Sequence, residues 1–152
     1  MPGEAIVQRK NGTVDRVPAV AGALGRAGLI PFVALPFLML WLPGAASLWS
    51  AALANYALAF TCFLPGAWWG LSLIRRSSSA LLLSNALVII AFSGRTLLDP
   101  AGFFLLSALL LVTTLVIEYR HPMFRPQPRY YARLRRQLTI VACAGLGVAA
   151  AL

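Results

Sequence analysis

The sequence predicts an all-α integral membrane protein with five transmembrane helices, its N-terminus inside and its C-terminus outside. Three observations carry that expectation. The chain is 60% hydrophobic and only 11% charged, where a soluble domain carries about 25% charged residues and needs them to cover its surface. The apolar residues fall in long blocks and not in the period-2 alternation of an outer-membrane barrel. Finally, the basic residues stand at the flanks of those blocks, where the positive-inside rule and anionic headgroups place them.

Residues 1–26 are polar and basic and are interrupted by Pro2, Gly3, Gly12 and Pro18. They read as a flexible cytoplasmic tail with a short surface helix near Val20, and they lack the apolar core and small-residue cleavage site of a signal peptide. The transmembrane domain then fills 27–152, with spans near 27–42, 47–74, 80–94, 101–117 and 134–152. Pro31 and Pro36 lie inside the first span, and a membrane helix tolerates prolines where neighbouring helices surround the freed carbonyls. That span is therefore expected to pack against others.

Pro43-Gly44 turns the chain into the longest apolar block, which rises ~42 Å at 1.5 Å per residue against a hydrocarbon core of about 30 Å. It must tilt, kink at Pro65 or protrude. Arg75 and Arg76 stop it, and Ser77, Ser78 and Ser79 cap the third span. Arg95 to Pro100 forms the next turn, where Asp99 can offset Arg95, and the fourth span, from Ala101, ends in Glu118-Tyr119-Arg120. A proline-rich loop leads to the fifth, where Arg129, Tyr130, Tyr131, Arg133, Arg135 and Arg136 are expected as interfacial anchors together with Glu118. Of the 13 basic residues, this topology leaves only Arg95 on the outer side, and that asymmetry sets the orientation.

Three segments resemble blocks of the transmembrane protein 69-like family, whose domain is one of unknown function (domain of unknown function 3429). They are Leu24 to Phe32, Tyr56 to Gly70 with its Phe63-Leu64-Pro65-Gly66-Ala67-Trp68-Trp69-Gly70 core, and Pro128 to Arg135. The resemblance implies a small protein of the bacterial inner membrane, with the mitochondrial inner membrane as the alternative, and it brings no established activity. Where relatives carry Gly-Gly and a polar or basic residue before Trp-Gly, this chain has Pro65-Gly66 and Trp68.

The side chains that stand out have bland and sharp readings. Asn55 follows Ser47 and Ala51 and precedes Ala59 at four-residue spacing, which puts an amide on a small-residue seam; an interhelical hydrogen bond is the reading taken, a ligand contact the alternative. Tyr56 belongs to the same segment. Trp68 and Trp69 read as interface-belt residues, alternatively as a stacking surface for a quinone or lipid. Gly66 and Gly70 form a small-xxx-small pair that brings helices close, as do Thr139, Cys143, Gly147 and Ala151 in the fifth span. Glu118 is expected to be neutralised by Arg120 at the headgroups, with a Glu118 to His121 proton relay as the alternative.

Cys62 and Cys143 form neither a CxxC nor a Cys/His pattern, so no metal site, disulfide framework or cofactor is expected. No Ser/His/Asp set, phosphate loop or paired intramembrane carboxylates occur. The formal charge of +9 is assigned to the membrane surface and not to nucleic acid. The expected partners are anionic headgroups and other membrane helices, including a second copy. The functional reading is a non-enzymatic accessory, assembly or scaffold protein acting through helix packing. A small-solute or lipid transporter is the alternative, followed by a membrane enzyme or binding protein for a lipid or quinone.

Overall fold

Prolines, a left-handed arginine and short polar turns divide the apolar blocks into helices. The computed structural model describes residues 16–152, so the first part of the expected tail lies outside the described residues. From Arg16 onward the chain is already helical: α1 spans Arg16–Ala27 and α2 Ile30–Trp41. The stretch near Val20 where a short helix is expected falls within α1. Val20 and Leu24 extend the apolar surface back through α1, and Ala19–Trp41 is long and apolar enough to cross a membrane, a break at Gly28-Leu29 notwithstanding.

Pro31 opens α2 with its fixed φ, where a missing N–H costs nothing. Pro43 follows its end and begins a 3-10 turn, Pro43–Ala45. The long block is one helix, α3, Ala46–Arg75, unbroken at Pro65. It closes on Arg76 in the left-handed conformation, with φ 52°, and carries Arg75 in its last turn, which complements the helix dipole. The remaining helices are α4, Ser78–Leu97, α5, Pro100–Arg120, and α6, Arg129–Ala150. Ser77 takes the N-cap position of α4 without a side-chain cap bond, contrary to the capping expected there.

Among the described residues four helical stretches are long and apolar enough to span a bilayer: Ala19–Trp41, Pro43–Arg75, Ser78–Leu97 and Pro100–Arg120. The fifth expected span belongs to α6, whose first turns carry Arg133, Arg135 and Arg136. Beyond Arg136 its apolar part rises only ~21 Å at 1.5 Å per residue.

α3 is the hub, packing against α2, α4 and α5, while α6 lies against α5, α2 and α1. Its buried face, Ala54, Ala57, Thr61, Pro65, Trp68 and Ser72, follows the three-and-four spacing of one helical side. One buried cluster centres on Phe32, Leu53, Phe103, Phe104 and Leu146. A second surrounds Trp68, Leu87, Leu110 and Phe124. Large aliphatic side chains such as Leu73, Ile74, Leu97 and Leu105 stay exposed around the outside, as expected where lipid replaces water as the solvent.

Side-chain contacts order the helices along the bundle. Tyr56 Oη donates to the Gly28 carbonyl at 2.8 Å, Arg95 reaches Asn55, and Trp68 reaches Glu118. Arg75, Arg76, Arg120, Arg125 and Arg135 thereby gather at the end where α3 and α5 finish, and Arg95 lies towards the other.

Candidate functional site

The last two turns of α5 present Thr114 and Glu118 on one face, and the second and third turns of α6 present Arg135 and Thr139 on another; both pairs have the i, i+4 spacing that puts residues on one side of a helix. Where the faces meet, Arg135 Nε donates to Glu118 Oε2 at 3.0 Å. The side chains are only 4% and 5% exposed. Arg135 Nη2 donates to Thr114 Oγ1 at 3.2 Å and Nη1 to Thr139 Oγ1 at 3.5 Å. Trp68, across on α3, gives its indole N–H to Glu118 Oε1 at 3.0 Å. Gln127 closes the loop side by donating to the Glu118 carbonyl at 3.3 Å.

Each carboxylate oxygen thus has a donor, and the guanidinium has carboxylate and hydroxyl partners on three nitrogens. A buried charge is tolerated on those terms, and removing one partner of such a pair typically costs about 3–5 kcal/mol because the other is left uncompensated. The centre ties three helices together.

The partner expected for Glu118 is therefore corrected. Arg120 is exposed and, two residues further on, points to a different side of α5, because i, i+2 positions do not face each other on a helix. Arg135 comes from the next helix instead. His121 does not relay to Glu118: its Nδ1 accepts from the Met123 N–H at 3.2 Å, and its Nε2 lies 3.0 Å from Ser79 Oγ. Glu118 and Arg135 are buried within the protein, while Tyr130, Tyr131, Arg133 and Arg136 are exposed. The Arg129 side chain lies outside what the structure describes.

Neighbours in sequence part company in the tryptophan pair, since successive side chains on a helix diverge by about 100°. Trp68 is 3% exposed and Trp69 44%. Asn55 is exposed, and its Oδ1 accepts from Arg95 Nη2 at 3.2 Å, a bond between α3 and α4. The Arg95 guanidinium also lies 5.9 Å from the Phe103 ring centroid. Tyr56 holds the α1–α2 break, with its ring edge-on to Phe32 at 5.3 Å.

The glycines divide into two groups. A side chain at Gly145 would run into the Phe32 backbone, and one at Gly94 into Leu106. At Gly66, Gly70 and Gly147 a Cβ would meet nothing within 4 Å. Of Thr139, Cys143, Gly147 and Ala151, where close approach is expected, Thr139 is buried and Cys143 half-buried with its Sγ 3.5 Å from the Ala108 carbonyl, while Gly147 and Ala151 are exposed and the close backbone contact falls at Gly145. A strict four-residue step drifts about 40° each time, and it leaves the contact within a few turns.

A cavity of about 290 Å³ adjoins the ion pair, with Trp68, Arg75, Glu118, Gln127, Tyr130 and Tyr131 in its wall. Among the described residues no three His, Cys, Asp or Glu side chains are grouped to hold a metal ion.

No curated protein and no solved structure matches the chain. Residues 17–151 match the family described as a protein of unknown function, DUF3429. The match covers all six helices but for the first residue of α1, and the transmembrane protein 69-like resemblance is compatible with it. The chain, a helical bundle with four stretches fit to cross a membrane, belongs to the DUF3429 family.

Proposed function

We propose that the protein is a non-enzymatic, multi-pass protein of the inner membrane that serves as an accessory, assembly or scaffold partner by docking its longest helix against another membrane helix. The observation that carries this reading is the outer face of α3. Ala51, Asn55, Ala59, Gly66 and Gly70 are all exposed, and a Cβ at Gly66 or Gly70 would touch nothing. Glycine weakens a helix by about 1 kcal/mol relative to alanine, so glycines with no use inside the fold point to a use outside it. Small residues along one helix face let a second backbone approach closely in lipid.

The charges inside the bundle favour the same reading. The described carboxylate in the core, Glu118, is committed to Arg135 and Trp68, which ties α5 to α6 and α3. The topology that goes with the proposal has five crossings with the N-terminus inside, α6 being the fifth, because the arginines cluster at one end of the bundle. An apolar groove of about 850 Å³ between α2 and α6, with Arg26 in its wall, favours a second reading as a lipid- or quinone-binding protein.

Extraction in a mild detergent followed by identification of what travels with the protein separates the two. The helix-docking reading expects a stoichiometric membrane-protein partner or a homo-oligomer. A monomer carrying a retained quinone or lipid and no protein would replace it with the second reading.

A further inference from the structure

The cavity beside the buried ion pair has a chemistry that the pair itself does not use. Both oxygens of Glu118 are already taken, so this wall offers no unpaired anion to a cationic ligand. The uncommitted charge is Arg75, exposed on the last turn of α3 and with no carboxylate within salt-bridge distance among the described residues. Around it stand the Gln127 amide, which has a second N–H beyond the one given to the Glu118 carbonyl, and the phenols of Tyr130 and Tyr131. Burial, with a contribution from Glu118 and against the opposing effect of Arg135, raises the Tyr131 pKa above the usual phenol value. The same cavity is lined by Trp68 and Phe124, whose rings pack at 5.1 Å.

We infer that this cavity takes the phosphodiester headgroup of an anionic phospholipid, with Arg75 supplying the charge, Gln127, Tyr130 and Tyr131 the donor hydrogens, and Trp68 and Phe124 the surface for the glycerol and upper acyl carbons. A phosphate presents several acceptor oxygens to one guanidinium and neighbouring donors. The apolar wall selects a phosphate that carries hydrocarbon, and the position at the arginine-rich end of the bundle is where headgroups of an anionic leaflet lie. This inference rests on the membrane reading and is independent of the helix-docking role of α3.

The test measures the melting temperature of the whole chain in detergent while phosphatidylglycerol, phosphatidylcholine or inorganic phosphate is added, for the wild type, Arg75→Gln and Arg76→Gln. Phosphatidylglycerol alone should raise the melting temperature. Its apparent affinity should fall about fivefold in Arg75→Gln, as expected for one basic residue facing an anionic lipid, and remain unchanged in Arg76→Gln, which is adjacent but outside the cavity. Equal losses in the two variants would mean general surface attraction, and stabilisation by inorganic phosphate a free-anion site. Equal stabilisation by phosphatidylcholine, or none by phosphatidylglycerol, would also overturn the inference.

Discussion

The carbonyl oxygen of Phe32 occupies the space where a side chain at Gly145 would begin. Pro36, four residues on, has no N–H to give that carbonyl, so the intrahelical bond is lost by construction. Pro36, inside α2, thus frees a backbone oxygen, and the missing side chain on α6 lets the helices approach around it. A Cα–H to carbonyl contact is the compensation available at such a site.

Gly145→Ala should therefore destabilise the bundle by about 1–3 kcal/mol, the range for overpacking a close contact. Gly147→Ala, two residues away in open space, should be neutral or stabilise by up to about 1 kcal/mol through helix propensity. Unfolding of the two variants in detergent, side by side, checks the difference.

Much of this architecture was legible in the sequence. Lipid demands long apolar blocks, and the blocks mark the helices to within a few residues. The prolines announce that α2 and α3 need neighbours, though not that Gly145 is the neighbour for α2. What was not legible was rotation about each axis. The four-residue runs through Asn55 and through Cys143 look like packing seams, but the whole of the first lies on the outside, and helical drift leaves Gly147 and Ala151 of the second exposed while Ala142, Leu146 and Ala149 are buried. The Glu118–Arg135 pair was hidden for a related reason: its partners sit on different helices across a proline-rich loop, and the nearer Arg120 is on the wrong side. The available hint was a threonine four residues from each charge, at Thr114 and Thr139.

Breaking that pair supplies a second prediction. Glu118→Gln and Arg135→Gln should each cost about 3–5 kcal/mol, since each leaves a buried charge uncompensated. The double variant should lose clearly less than the sum of the two, because residues in one network are not additive. Additive losses in a double-mutant cycle would show that the two side chains do not act as a unit.

Orientation is open to direct measurement. A cytoplasmically active reporter inserted within residues 121–129 should be active, and a periplasmically active one should work when fused after Leu152. A periplasmic signal from the loop around Arg125 would invert the proposed topology, and a cytoplasmic signal at the C-terminus would show that α6 does not cross.

Gly66→Leu distinguishes an α3 whose outer face receives another helix from one that faces lipid alone. Since a Cβ at Gly66 meets nothing inside the fold, the substitution should leave the melting temperature of the isolated chain unchanged or slightly raised. In membranes extracted with mild detergent, native-size analysis should show the protein shifting from an assembly to a free monomer. An assembly of undiminished size in Gly66→Leu would contradict the account.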